Sequence, residues 1–573
     1  MKLKGSEIVC QSLLREGVDV VFGYPGGAIL PFYDALWAYP QLRHILVRHE
    51  QAAAHAADGY SRVTGKVGVC VATSGPGATN LVTGIMGAKA DSVPIVAITG
   101  QVARSSLGSE AFQECDICSI AASTTKKTYM VMSAADLADT IREAFYIAQQ
   151  GRPGPVLIDI PRDVQLELAE AEFPEVTAPE TPEVSEEAME RLKEAARLIN
   201  EAERPLIISG HGVMTSGATK ELLSLAERSG IPVITTLLGL GSFPGGHPLS
   251  MGMLGMHGMY WSNLSVDQAD LIVGVGMRFD DRVTGKVDTF APHARIIHMD
   301  IDATQIGRNV PVEVPVVGDA KALLHQLAPM VTHTPRPEWM QFIENLKQNH
   351  PSLSIPSGDV LQAQQVLSAL DIVFQEDPET TVVTGVGQHQ MWAAQFCRST
   401  RERQWLSSGG AGTMGYGFPA AIGAQLGNPE DLVVAVVGDG GFQMTMSELA
   451  TAAINKLPLK ILIINNNYLG MVRQWQQLFF DNRESGVDME GNPDFVKIGE
   501  AYGIKGFHLR RAGDVTKVLK KALAYNDGPC IIEAEVVKAD NVFPMIPAGA
   551  AVSEMLIDEP PASKKLKKPV GST

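Results

Sequence analysis

Short runs in which almost every residue is apolar and many are β-branched constrain this chain more than any other feature. They include Val67-Gly-Val-Cys-Val-Ala72, Ile95-Val-Ala-Ile98, Leu206-Ile-Ile-Ser209, Asp270-Leu-Ile-Val273, Leu432-Val-Val-Ala-Val-Val437 and Lys460-Ile-Leu-Ile-Ile464. A strand apolar on both faces must be covered on both faces, which is the situation of a parallel sheet flanked by helices. Amphipathic patterns lie between the runs, such as Glu187 to Ala202 with Leu192, Ala195, Ala196 and Ile199 on one face. Strand, helix, strand in repetition predicts an α/β protein built from three doubly wound parallel-sheet domains. Two stretches interrupt the pattern: Gln165 to Glu187, where three prolines sit among eight glutamates, and Pro329 to Asp359, with a short helix expected around Trp339 to Gln348. Read as linkers, they divide the chain into domains at residues 1–165, 188–330 and 359–550, followed by a tail at 551–573. Ligands of such sheets bind beyond the carboxyl ends of the strands.

Charge and cysteine usage exclude several functions. The 573 residues carry 47 Lys and Arg against 64 Asp and Glu, a net charge of −17, which repels phosphate backbones and anionic lipid. Neither nucleic acid nor a membrane is expected as a partner. Lys564 to Lys568 reads as a frayed end. Six scattered cysteines do not make a disulfide framework, and no apolar leader opens the chain, so a cytoplasmic location is expected. Cys115-Asp-Ile-Cys118 has no second cysteine pair and does not open a helix after a strand, so neither zinc nor redox work is expected of it.

The most informative segment is Val433-Val-Ala-Val-Val-Gly-Asp-Gly440. Gly438 and Gly440 allow a sharp turn and close approach of a ligand, and Asp439 presents a hard oxygen at the strand's end. Asn466 follows 27 positions later, at the end of the next apolar run, with a helix expected over Met446 to Asn455 between them. Taken singly, Gly-Asp-Gly is a turn and Asn-Asn a helix cap. At this spacing a carboxylate, an amide oxygen and a nearby backbone carbonyl come to neighbouring strand ends, a place for Mg²⁺ on a phosphate. Glu50 draws attention because it follows an apolar run and opens the Ala-rich helix Gln51 to Tyr60, although such a glutamate also complements a helix dipole.

The Gly-Asp-Gly and Asn-Asn pair resembles the thiamine diphosphate and magnesium motif of the thiamine-dependent decarboxylase superfamily. The resemblance implies Mg²⁺ held by Asp439, Asn466 and the Tyr468 carbonyl. Arg48-His-Glu-Gln-Ala, Gly59-Tyr-Ser-Arg62 and Thr73-Ser-Gly-Pro-Gly-Ala-Thr-Asn80 resemble the pyrimidine-binding domain of that superfamily. Glu50 thereby matches the carboxylic acid that activates the cofactor at its aminopyrimidine, for which a dry setting is expected. In that superfamily this glutamate and the diphosphate site meet across two subunits, implying at least a homodimer.

Within the superfamily the chain is most similar to acetohydroxyacid synthase catalytic subunits. Phe22-Gly-Tyr-Pro-Gly-Gly-Ala28, Glu110-Ala-Phe-Gln-Glu114, Met277-Arg-Phe-Asp-Asp-Arg-Val-Thr-Gly285, Gly410 to Pro419, Gly470-Met-Val-Arg-Gln-Trp475 and Asn541 to Pro547 carry this likeness. It implies decarboxylation of pyruvate and ligation of the remaining two-carbon unit to pyruvate or 2-ketobutyrate, the entries to valine, leucine and isoleucine. By the same resemblance Arg282 selects the acceptor carboxylate; an ion pair with Asp280 or Asp281 is its other reading. Gln113 and Gly27 match residues near the reacting centre, and Met414 the prop under the cofactor. Gly387, Gln388 and His389 match the diphosphate loop, and Met471, Val472 and Trp475 the channel wall. Ser209-Gly-His-Gly212 does not complete a Gly-x-Gly-x-x-Gly motif, because Thr215 holds its third glycine position. The family nevertheless binds a structural FAD in the central domain, with Arg152, Thr236, Met256, His257, Arg278, Asp300 and Asp319 as the matching contacts. A homodimer or homotetramer and a separate small regulatory subunit are implied as partners.

Overall fold

A computed structural model describes residues 2–559 apart from Ala178, Pro351 and Pro378; the Lys564 to Lys568 cluster and the end of the expected tail lie outside the described residues. Three six-stranded sheets, every strand pair of them parallel, carry the fold. The first runs, edge to edge, Arg43–Leu46, Val20–Gly23, Gly68–Ala72, Ile95–Gln101, Val156–Pro161, Lys127–Met130. The third runs Trp405–Leu406, Thr380–Thr384, Leu432–Gly438, Lys460–Asn465, Cys530–Glu535, Lys505–Leu509. Numbered along the chain within each sheet, both have the order 2-1-3-4-6-5. The middle sheet runs Ser250–Met253, Val233–Thr235, Pro205–Ser209, Leu271–Val275, Arg295–Asp300, Val314–Val317, which is the order 3-2-1-4-5-6 of dinucleotide-binding sheets.

Each of the apolar runs read from the sequence is a strand within three residues of its expected ends. The amphipathic pattern forms the helix Glu186–Glu201, with Leu192, Ala195, Ala196 and Ile199 buried. The helix expected around Trp339 to Gln348 spans Pro337–Asn349. The Gln165 to Glu187 segment is more ordered than its composition suggests. Leu168–Glu170 pairs antiparallel with Lys2–Lys4, setting Lys2 opposite Glu170 and burying Ala169 with Leu3. Farther on, Phe173 packs on the first core beneath the Arg15 guanidinium, 4.4 Å from the ring centroid. A three-residue alternation is too short to stand out among so many glutamates, and only its partner across the chain makes it a strand.

The outer domains share one core. A buried cluster runs from Phe22, Ala53 and Ala57 through to Ile422, Phe442 and Ile463, whereas the middle sheet has clusters of its own. The joint is a crossing of two helices, Glu50–Thr64 and Gly417–Gly427. At Gly59 a Cβ would run into the Ala420 carbonyl, and at Gly423 into that of Ala56, so both glycines permit backbone-to-backbone approach. Beneath it Arg62, almost wholly buried, pairs with Asp58 at 2.6 Å and Asp91 at 2.8 Å and donates to the Ser407 carbonyl. Among the described residues no helix is long and apolar enough to cross a membrane.

Candidate active site

In each sheet the loops that leave strand 1 and the later strand beside it run to opposite sides and diverge to form a crevice. In the third sheet the loops follow Thr380–Thr384 and Leu432–Gly438. Gly387, φ +150°, caps the helix Gln388–Phe396, whose free amides and dipole suit a phosphate. Asp439 starts its own helix directly after the neighbouring strand, 2% exposed, and burial pushes its carboxyl up to about 6. Asn466 ends the adjoining strand's turn, 6% exposed; its Nδ2 donates to Gln388 Oε1 at 3.2 Å, and its Oδ1 accepts the Tyr468 amide at 3.2 Å. A Cβ on Gly470 would strike Gln388 and Asn466, and one on Gly438 would lie 2.8 Å from the His389 ring. A Cβ on Gly440 would lie 2.7 Å from Leu469 and 3.7 Å from Met414. Gly438, Asp439, Gly440, Asn466, Tyr468, Gly387, Gln388, His389 and Met414 therefore belong to one neighbourhood. Its carboxylate and amide oxygens and its glycine cradle fit Mg²⁺ with a diphosphate.

One cavity of about 930 Å³ joins this neighbourhood to the middle sheet. Gly387, Met414, Met471, Val472 and Trp475 line it on one side, and all of Arg152, Thr236, Met256, His257, Arg278, Asp300 and Asp319 line it on the other. The switch point of the middle sheet opens into it, where a Cβ on Gly212 would come 2.7 Å from Gly276 Cα. Arg152 pairs with Asp302 at 3.3 Å, and Arg278 with Asp280 at 3.2 Å. Asp319 caps the helix Ala320–Leu327, and Asp300 is pushed up to about 6 by burial. His257 is 4% exposed with a buried Nε2 that has no hydrogen-bond partner, and burial lowers its ring to about 4. Two guanidinium groups, an orphaned imidazole nitrogen and a dinucleotide strand order fit a large dinucleotide such as FAD. Arg282 also lines the cavity, half exposed, paired with Asp281 at 3.4 Å and with Nη1 3.6 Å from Met256 Sδ. Of the two sequence readings of Arg282, the ion pair with Asp281 is the one the structure records.

Glu50, Gln113 and Gly27 gather elsewhere, at the switch point of the first sheet. Glu50 is the first residue of its helix and accepts from Asn80 Nδ2 at 2.9 Å. A Cβ on Gly77 would lie 3.2 Å from Glu50, and one on Gly75 would lie 3.0 Å from Gln113 Cβ. A Cβ on Gly26 would meet Thr73 at 2.5 Å, while one on Gly27 meets nothing within 4 Å and leaves that backbone open. Nor is Glu50 dry among the described residues; it is part-exposed.

The structure adds residues that sequence reading passed over. Asn492 Nδ2 donates to Asp439 Oδ2 at 2.7 Å and is held by Gln443 at 2.9 Å. Its Asn-Pro-Asp context reads only as a turn. Asp91 accepts the amides of Gly409 and Gly410, at 3.2 and 2.6 Å, and all three residues line the cavity. Nothing local marks this role of Asp91, since the two glycines lie more than 300 positions away. Cys115 and Cys118, by contrast, are raised above the ordinary thiol value by burial, Cys118 to about 12, the reverse of an activated thiol.

Comparison with known proteins agrees with the three-domain architecture. Residues 3–120 match the thiamine pyrophosphate enzyme N-terminal TPP binding domain, 192–327 the central domain, and 385–534 the C-terminal TPP binding domain. The chain is 47% identical over 567 residues to an acetolactate synthase large subunit of Corynebacterium glutamicum, covering 97% of this chain and 90% of that protein. It is 46% identical to an acetolactate synthase of Mycobacterium bovis, covering 97% and 91%, and 46% identical to an acetolactate synthase large subunit of Porphyra purpurea, covering 96% and 95%. With all three domains in order and nearly half its residues identical along almost its whole length, this chain belongs to the acetolactate synthase large subunits, a family of thiamine pyrophosphate enzymes.

Proposed function

We propose that the chain joins two 2-keto acids, decarboxylating pyruvate and delivering the remaining two-carbon unit to a second pyruvate or to 2-ketobutyrate. The observation that carries this reading is the single cavity in which Arg282 and the Met471, Val472 and Trp475 wall face Met414 and the Gly387 helix terminus. Bound thiamine diphosphate supplies the electron sink for decarboxylation. Asp439, Asn466 and the Tyr468 carbonyl hold Mg²⁺, and Gly387, Gln388 and His389 receive the diphosphate beside it. Met414 would support the bound cofactor as an adaptable apolar contact. Glu50 donates and accepts the proton at the aminopyrimidine. Arg282 turns from Asp281 to the acceptor carboxylate, which a guanidinium grips through two parallel hydrogen bonds. Trp475 and Val472 exclude water from the reacting end.

FAD in the central part of the cavity does no redox work, because the carboligation has no net redox step. Arg152, Arg278, Thr236, His257, Met256, Asp300 and Asp319 hold it as a structural partition. Glu50 acts on the cofactor of a second copy. Tyr24 and Leu30 beside Gly27, Leu46 before Glu50, and Phe112 beside Gln113, which is 88% exposed, are the large apolar side chains such a copy would cover. A small regulatory subunit and a cytoplasmic location complete the reading.

Product analysis on purified protein with thiamine diphosphate, Mg²⁺, FAD and pyruvate tests it. Chiral 2-acetolactate is expected, and Glu50→Gln lowers its rate by about 10²- to 10⁴-fold while cofactor binding persists. Acetaldehyde, or acetate with peroxide, as the main product overturns the carboligase reading and leaves Arg282 without an acceptor.

A further inference from the structure

Glu533 is a buried carboxylate in the strand Cys530–Glu535 that no part of the mechanism uses. It is 3% exposed, its Oε2 has no hydrogen-bond partner, and its Oε1 accepts one hydrogen bond, from Asn465 Nδ2 at 3.0 Å. Burying a carboxylate with half its acceptors unfilled is costly, so the single bond it makes calls for an explanation. Asn465 is the last residue of the neighbouring strand, and its Oδ1 accepts the amide of Asn467 at 3.2 Å, across the turn that carries Asn466. Asn467 has φ +53°, a left-handed conformation that needs such a brace. Nearby, His508 directs Nδ1 toward Glu533 Oε2 at 3.6 Å and Nε2 toward Asp494 at 3.8 Å. Lys497 pairs with Asp494 at 3.3 Å, and Arg510 with Glu535 at 2.6 Å. Two cations thus flank the carboxylates around His508.

We propose that Glu533 is a positioning residue for the Mg²⁺ site: through Asn465 it fixes the turn that aims the Asn466 amide oxygen at the ion. The inference rests on Asp439 and Asn466 being the ligands, as proposed above. Support behind a ligand tunes metal affinity without touching the metal. Gln at position 533 can still accept from Asn465, whereas Ala cannot.

The test is Mg²⁺ titration of thiamine diphosphate binding in the full-length protein, followed by intrinsic tryptophan fluorescence, to which Trp475 in the cavity lining contributes. Glu533→Ala is expected to raise the half-saturating Mg²⁺ concentration about tenfold. Glu533→Gln should stay within about twofold of the parent, and turnover at saturating Mg²⁺ should be preserved in both. Asn465→Ala reads the same link from its other end and serves if Glu533→Ala does not fold. The double variant should be no worse than either single one. Unshifted midpoints for both single variants, with Asn466→Ala shifting strongly, overturn the role of Glu533 alone. If Asn466→Ala also leaves the midpoint unmoved, the ligand assignment fails, and this inference with it.

Discussion

Asp159 shows how a single side chain is set by what surrounds it. It lies in the middle of the strand Val156–Pro161 with no exposed surface, accepting from Thr99 Oγ1 at 2.7 Å and Gln101 Nε2 at 2.8 Å. Burial raises its carboxyl to about 7 despite those two donors. The folded protein then keeps a proton that the unfolded chain releases near pH 4. The stability this confers is complete below that value and is lost as pH rises through about 7. Asp159→Asn supplies a permanently neutral group that can accept from Gln101 and donate to Thr99. Its melting temperature should exceed the parent's at pH 8 and come close to it at pH 5; a parallel offset at both values would remove Asp159 as the titrating group. Residues of this kind were illegible in the sequence, since Asp159 and its partners are 58 and 60 positions apart and nothing local distinguishes it from any strand carboxylate. Glu50 and Asp439 were legible because each sits where an apolar run gives way to a helix, a boundary that local pattern marks. Glu50's environment was not, because the surface it faces is not made by neighbouring sequence.

At the scale of elements, the crossing of the helices Glu50–Thr64 and Gly417–Gly427 holds the outer domains together. Gly59 and Gly423 face the carbonyls of Ala420 and Ala56, which are backbone atoms inside helices and cannot rotate aside as a side chain would. Adding one methyl group at either position forces the helices apart along a seam that also contains the Arg62 pairs. Gly59→Ala and Gly423→Ala are each expected to cost about 3 kcal/mol, the upper end of overpacking, although alanine is the better helix former. Urea unfolding checks this, and a midpoint equal to or above the parent's would show that the helices have room. Strands and helices could be read from periodicity because burial on both faces writes itself into a strand's composition. The crossing could not: glycine within an Ala-rich helix reads as a weak helix former, and only the facing backbone reveals its use. Strand order was equally hidden, since a parallel neighbour can come from any distance along the chain, as Cys530–Glu535 beside Lys460–Asn465 does.

At the scale of the whole molecule, the outer sheets repeat one strand order, and each gathers candidate site residues beyond its switch point. Gly387, Asp439 and Asn466 gather at the third sheet, and Gly27, Glu50 and Gln113 at the first. If one copy lends its Glu50 end to the Asp439 end of another, a symmetric dimer has two composite sites, each built from both chains. Two inactive variants, Glu50→Gln and Asp439→Asn, then complement each other. In a hybrid dimer one site collects both substitutions and the other collects neither, so one of its two sites is intact. Random reassortment of equal amounts makes half the dimers hybrids, and the mixture should recover about a quarter of the parent activity. Sites contained within one chain predict no recovery at all, because every chain carries a lesion. Co-expressing the two variants under separate tags, isolating the doubly tagged species and assaying acetolactate formation separates the two arrangements, with about half the parent activity expected of the pure hybrid.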